Sequence, residues 1–243
     1  LTILDVDIVG NLDPNFSLVY YPSLMAFDAF STKTLTKCDP SNCPQLLKIS
    51  IDSTPVASID VSNNPELRIL NVSGTNISSI DVSHNPKLQQ LYCDGVGSGL
   101  TELDVTNNPN LYYLFASFNK LTSVDVSQNL VLQDLYLNYN KLSSIDLSNN
   151  ADLVNVSLNS NNFNFVTLPT DPGWLYYSYR QNPLPMPKSY LLGSPINFNS
   201  QVTRPGSTTT MELMRVDSDD TTISEPLDES YYTFEEGILT IQK

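Results

Sequence analysis

One phrase, written five times at nearly constant spacing, restricts what this chain can become. Ile59-Asp60-Val61-Ser62-Asn63-Asn64-Pro65 returns as Ile80-Asp81-Val82-Ser83-His84-Asn85-Pro86 and as Leu103-Asp104-Val105-Thr106-Asn107-Asn108-Pro109. Val124-Asp125-Val126-Ser127-Gln128-Asn129 and Ile145-Asp146-Leu147-Ser148-Asn149-Asn150 are the fourth and fifth copies. Counted from residue 59, the steps are 21, 23, 21 and 21 residues, and the longer one carries Gly95-Val96-Gly97-Ser98-Gly99. A period of this size means stacked copies of one short unit.

Between the phrases runs the pattern L-x-x-L-x-L-x-x-N-x-L. Leu132, Leu135, Leu137, Asn140 and Leu142 match it fully, and Leu111, Leu114, Ala116, Asn119 and Leu121 match with one smaller residue. Leu46/Ile49/Ile51, Leu67/Leu70/Val72, Leu88/Leu91/Cys93 and Leu153/Val156/Leu158 fit its first half. Trp174/Tyr177/Tyr179 with Asn182 and Leu184 is an aromatic version, 21 residues after Leu153. This is the leucine-rich-repeat signature. It predicts a solenoid of the α/β horseshoe class, mostly short parallel strands with few helices, with seven coils between about residues 46 and 184. The fourth and sixth positions of each strand share its inner face. Burying an apolar side chain contributes roughly 1.5–3 kcal/mol, whereas ordering each backbone residue costs roughly 1–2 kcal/mol. A single coil therefore does not fold alone; a stack does, because each coil covers its neighbour. The Asp-Val-Ser-Asn-Asn-Pro phrase supplies the return turn, its short polar side chains satisfying backbone groups locally.

The ends read differently. Residues 1–45 are assigned to a cap and enlarged first coil. Leu4-Asp5-Val6 and Asp13-Pro14-Asn15-Phe16 resemble a stretched turn phrase, Phe16/Val19/Tyr21 would be the first strand, and Leu24, Phe27 and Phe30 suggest a short helix within 23–33. The solenoid is assigned to 46–187, ending at Pro183-Leu184-Pro185-Met186-Pro187. Residues 190–243 predict a small all-β module with strands at 208–216 and 231–242, of immunoglobulin-like character and sealing the last coil.

The repeats resemble the 21-residue leucine-rich repeats of the internalin type and of related bacterial surface proteins. Asp81-Val82-Ser83-His84-Asn85-Pro86 followed by Leu88, Leu91 and Cys93 is a near-complete example, and the likeness extends over about residues 38–184. It implies an exported recognition protein at the cell surface or outside the cell, active in adhesion or protein binding. It carries over no ligand. The chain begins at Leu1 with no charged-then-apolar leader, so an export signal is expected to have been removed.

Function is expected on the outward strand positions. Position five reads Ser50, Asn71, Tyr92, Phe115, Tyr136, Ser157 and Ser178; position three adds Tyr113 and Tyr176, and position eight adds Phe118 and Tyr139. Exposed aromatic clusters mark interaction surfaces, so Tyr92, Tyr113, Phe115, Phe118, Tyr136, Tyr139 and Tyr176 form the candidate surface for a protein or glycan. The Gly-rich insertion is a candidate lip beside them. The competing reading is a rigid spacer without a ligand, its aromatics merely suited to strands.

Other chemistry finds less support. The Asp ladder at 60, 81, 104, 125 and 146 stacks like charges, which calcium or local hydrogen bonds to the turn would relieve; the turn supplies those donors in every coil. Cys38 and Cys43 can form a cap disulfide in an oxidising compartment or remain thiols. Cys93 takes an inward position as a small apolar residue, and His84 stands in a surface turn. No catalytic motif is present, and no cofactor or metal is expected. Twenty-six acidic against twelve basic residues argue against nucleic acid, no apolar run is long enough for membrane insertion, and a monomer is expected.

Overall fold

In a computed structural model, residues 17–163 are described, Val19 by backbone alone, with Pro169 and the backbone of short strands on either side. Nine strands form one parallel sheet in sequence order. They are β1 (Ile3–Asp5), β2 (Ala26–Asp28), β3 (Lys48–Ser50), β4 (Ile69–Asn71), β5 (Gln90–Tyr92), β6 (Tyr113–Phe115), β7 (Asp134–Tyr136), β8 (Asn155–Ser157) and β9 (Tyr176–Ser178). Every pairing is in register, with Leu70 beside Leu91, Leu91 beside Leu114 and Leu114 beside Leu135. The fold is a leucine-rich-repeat solenoid.

The core follows the repeat. Ile49, Leu70, Leu91, Leu114, Leu135 and Val156 fill the fourth position of successive coils without solvent contact. Ile51, Val72, Cys93, Ala116, Leu137 and Leu158 do the same at the sixth. The central strand residue is buried and its neighbours at positions three and five are mostly half-exposed, as alternation across one sheet face requires.

Two ladders of asparagine bind coil to coil. The second Asn of each return phrase reaches backward into the preceding coil. Asn85 Nδ2 donates to the carbonyls of Val61 and Asn64, both at 2.9 Å. Asn108 donates to Val82 at 3.0 Å and Asn85 at 2.9 Å, and Asn129 and Asn150 repeat the geometry. On the other side of the coil, position nine carries Thr54 and Thr75, each hydroxyl closing onto its own coil's position-six carbonyl. From Asn119 onward, Asn takes over. Asn140 Nδ2 donates to Ala116 and Leu137, and its Oδ1 accepts from the Leu121 amide. An amide can bridge two coils where a hydroxyl serves one, so the polar spine strengthens along the chain.

At the N-terminal end the repeat starts earlier than the sequence suggested. Residues 23–33 are not helical: β2 lies there, and Leu24, Phe27 and Ala29 are its buried repeat positions. Leu18–Tyr20 forms a short 3₁₀ turn in place of a first strand, and the leading strand is β1. The reason is register, because Leu24 stands 22 residues before Leu46 and completes the same pattern. The segment Cys38-Asp39-Pro40-Ser41-Asn42-Cys43-Pro44 is likewise a further copy of the return phrase, 21 residues before Ile59–Pro65. Cys43 takes the place of the ladder Asn, and its Sγ donates to the carbonyls of Leu18 at 3.4 Å and Tyr21 at 3.3 Å. Cys38 takes the core-facing place of Ile59 and is buried. In this structure both are free thiols, with Cys43 directed to the coil behind it. Burial pushes the Cys38 thiol up to about 12.

The chain divides into two units, Leu1–Phe163 with Leu168–Asn182, and Asn164–Thr167 with Pro183–Lys243. In the second, β10 (Pro195–Asn197), β14 (Ile238–Ile241) and β13 (Tyr232–Glu235) pair antiparallel, and β11 (Met214–Val216) pairs with β12 (Ile223–Pro226). The immunoglobulin-like assignment and the sealing of the last coil lie outside the described residues.

The ladder makes a direct prediction. Asn108→Ala removes both donors to the buried Val82 and Asn85 carbonyls, and should lower unfolding free energy by about 2 kcal/mol in urea titration. Exposed Asn107→Ala, one residue away, should change it by less than about 0.5 kcal/mol.

Candidate recognition surface

The aromatic positions converge as their repeat numbers require. Tyr92, Phe115 and Tyr136 end three adjacent strands in register. Their rings stack in a continuous row, Tyr92 on Phe115 at 4.9 Å and 24° and Phe115 on Tyr136 at 4.6 Å and 7°. These separations match the spacing between neighbouring strands, about 4.8 Å, so the sheet itself sets the stack. Tyr113 meets Phe115 edge-on at 6.2 Å. Tyr112, which the sequence reading passed over, meets Tyr113 edge-on at 4.6 Å and enlarges the patch. Gln90 ties its near end, donating from Nε2 to the Tyr112 hydroxyl at 2.5 Å and accepting from the Tyr92 hydroxyl at 3.0 Å. Burial, with Tyr112, Tyr113 and Asp134 close by, holds the Tyr92 phenol above its ordinary value. The side chain of Tyr176 lies outside the described residues; its backbone pairs with Asn155 in β8.

A second row runs along the sheet edge at position eight. Phe118 and Tyr139 stack at 4.4 Å and 10°, and both are exposed, at 59% and 49%. Their backbones are left-handed, with φ of 57° and 55°. So is position eight of every regular coil, which carries Ser31, Ser53, Gly74, Gly95 and Ser160 elsewhere. From Ser31 to Tyr139 each of these amides donates to the position-seven carbonyl of the next coil, Gly95 to Ser117 at 2.9 Å and Phe118 to Asn138 at 3.0 Å. That lattice fixes the conformation whatever the side chain. A bulky aromatic there costs about 1–2 kcal/mol, offset only by a stack that leaves both rings about half exposed. Strain held where stability does not need it points to use of the side chain.

The Gly-rich insertion is not a raised lip. Val96 is drawn into the core, and the Gly97 amide donates to the Thr75 carbonyl at 2.5 Å. A Cβ on Gly97 would stand 2.5 Å from the Ile77 carbonyl oxygen, so this loop requires glycine. Gly95 keeps position eight flat beside Phe118.

The Asp ladder is settled within each turn. Asp60, Asp81, Asp104, Asp125 and Asp146 each accept the backbone amide two residues on at 2.9 Å. Hydrogen bonding from the hydroxyl and amide of Ser62, Ser83 and Thr106 holds the first three carboxyls below their ordinary value. The amide and hydroxyl of Ser127 and Ser148 do so for the last two. Among the described residues no group of three or more His, Cys, Asp or Glu is arranged to hold a metal. Cys93 is wholly buried, and His84 is exposed in its turn. An open hollow is lined by Glu102, Asp104, Lys120, Asp125 and Lys141 among others, and the hydroxyl of Thr106 in its wall donates to Asp104 at 2.6 Å as part of the return turn. No helix among the described residues is long and apolar enough to cross a membrane.

Comparison with solved structures agrees with the repeat type. The functional domain of InlJ from Listeria monocytogenes, which includes a cysteine ladder, is 25% identical with a TM-score of 0.57, over 74% of this chain and 48% of that one. Internalin C2 from the same organism is 16% identical with a TM-score of 0.50, over 68% and 74%. No protein-family model matches the sequence, and no curated protein does. The chain thus has the solenoid of internalin-type leucine-rich-repeat proteins and spans about half the length of the InlJ domain. Its own ladders are of asparagine, with Cys93 alone among the sixth-position residues.

Two measurements check this surface. Relief of the left-handed strain should offset loss of the exposed stack, so Phe118→Gly should leave unfolding free energy within about 1 kcal/mol of the parent. The turn carboxyls have folded-state values below the unfolded value of about 3.9. Their contribution is therefore present above about pH 4 and is lost as pH falls through the folded values. The urea midpoint should accordingly be flat near neutrality and drop on acidification below about pH 4, with EDTA leaving it unchanged.

Proposed function

We propose that this chain is a non-catalytic recognition module of an exported bacterial surface protein, binding a protein ligand through the aromatic face of the coils that carry Tyr92 through Tyr139. The observation that carries this reading is the paired rows. Tyr92–Phe115–Tyr136 on the sheet and Phe118–Tyr139 at its edge occupy the same short stretch of solenoid, and the second row sits on backbone that costs free energy. A spacer has no use for either. The stacked rings cover one another's faces, which leaves their edges as the greater part of what a ligand can meet. Sugar rings stack on open aromatic faces, whereas protein side chains pack well against aromatic edges and bond to phenol hydroxyls. The sheet row therefore favours a protein over a glycan.

The triple variant Tyr92→Ser, Phe115→Ser, Tyr136→Ser uses a residue that β3 and β8 carry at the same position, as Ser50 and Ser157. It should fold, and should lose at least tenfold of saturable binding to host-cell protein extracts or intact cells. Unchanged binding would reject the surface, and absence of saturable binding by the parent would favour the spacer.

A further inference from the structure

The edge row ends abruptly, and the place where it ends is chemically distinctive. Position eight steps from Tyr139 to Phe118 and then to Gly95 and Gly74, each joined to the next coil by the same backbone hydrogen bond. Tyr139 covers one face of Phe118. On the opposite side, a Cβ built on Gly95 would lie 3.7 Å from the Phe118 Cβ. The volume that a planar side chain at 95 would fill is thus open, and a second glycine extends the flat floor by one more coil.

A carboxylate borders this opening. Asp94 immediately precedes Gly95, is half-buried, and accepts the Ser117 amide, the residue before Phe118, at 2.6 Å. The ion pairs among the described residues are Lys48–Asp28 and Lys87–Glu66, so Asp94 has no cation of its own. The Lys120 stem runs against Gly99, with its Cγ 3.2 Å from a Cβ built there. Burial holds the Asp94 carboxyl above its ordinary value despite the Ser117 hydrogen bonds, the state of an acid that an incoming cation would stabilise as a carboxylate. The chain as a whole carries a net charge of −14, which favours approach of a basic partner surface.

We infer that the opening over Gly95 and Gly74, between the free face of Phe118 and the Asp94 carboxylate, receives an arginine side chain of the protein partner. A guanidinium is flat, stacks on an aromatic face and donates in its own plane to a carboxylate at the rim. A lysine ammonium satisfies the charge without the stack, and a neutral planar group satisfies the stack without the charge. The inference rests on the recognition reading above but uses the edge row instead of the sheet row, so either can fail alone.

The test is an amide NMR titration of the full chain with N-acetyl-arginine methylamide, its lysine counterpart, its citrulline counterpart and methyl glucoside. Arginine should shift the amides of Gly74, Gly95, Ser117 and Phe118, binding at least fivefold tighter than lysine or citrulline, with Tyr92 and Tyr136 unmoved. Gly95→Phe fills the opening with a ring that the backbone already accepts at 118 and 139, and should abolish those shifts. Asp94→Asn keeps the shape and resembles Asn138 and Asn159 one and two coils beyond Ser117; it should weaken arginine to the level of citrulline. Equal response to arginine and lysine, shifts scattered over the Asp turns, survival of the shifts in Gly95→Phe, response to the glucoside instead, or no response to arginine would each overturn the assignment.

Discussion

The described coils of this protein are tied together by turn carbonyls that accept twice, once from an amide of their own coil and once from a side chain of the next. The return turn exposes its Val and Asn carbonyls toward the next repeat, where no water reaches, and the next repeat answers with one buried Asn side chain. Each such hydrogen bond contributes about 1 kcal/mol, so one Asn that donates twice stabilises each junction between coils. It also fixes register, because a slip of one residue toward the C-terminus would place Pro65, Pro86, Pro109, Leu130 or Ala151 where the donors are needed. The bond comes with a residue of its own: the Oδ1 atoms of Asn64, Asn85, Asn108, Asn129 and Asn150 are buried without a partner. Two donors satisfied for one acceptor lost is a net gain. It explains why Cys43, with a single weak donor, suffices only near the start, where a short 3₁₀ turn stands in the coil behind it.

This vertical bonding sets what the surface can be. Because the strands repeat in strict register, any residue type recurring at one outward position becomes a row. Aromatics at position five become a stack at strand spacing, and aromatics at position eight become a second stack parallel to it. The site needs no loops folded over it and no cleft. Its rigidity comes from the ladders underneath.

Most of this was legible in the chain. A strict period names the fold, and the fold gives every residue a position number, which is why Tyr92, Phe115 and Tyr136 could be aligned before any coordinates. The reading failed where the repeat departs from its own wording. Asp39-Pro40-Ser41-Asn42-Cys43-Pro44 differs from Asp60–Pro65 chiefly by Cys for Asn, yet the two cysteines drew attention to a disulfide and hid the copy. Phe27 and Phe30 at spacing three suggested a helix, although Leu24-x-x-Phe27-x-Ala29 is in phase with the strands that follow. Tyr112 was missed because position two looks like flank until the edge-on contact with Tyr113 is seen. The left-handed row had a faint signal in Ser31, Ser53, Gly74, Gly95 and Ser160, small residues at one position, but Phe118 and Tyr139 broke that pattern. The insertion's inward path, with Val96 in the core, has no local sequence signal because it depends on the coil below.

The left-handed row has a consequence for how such a protein changes over time. Its geometry is held by main-chain bonds, so the backbone at position eight keeps one conformation whatever side chain it carries. Serine, glycine, phenylalanine and tyrosine all occupy it here on the same backbone. A single substitution can therefore add or erase one contact at the rim while the register and core of the solenoid stay as they were. The rim can vary one coil at a time, each side chain larger than glycine carrying only the cost of its left-handed backbone.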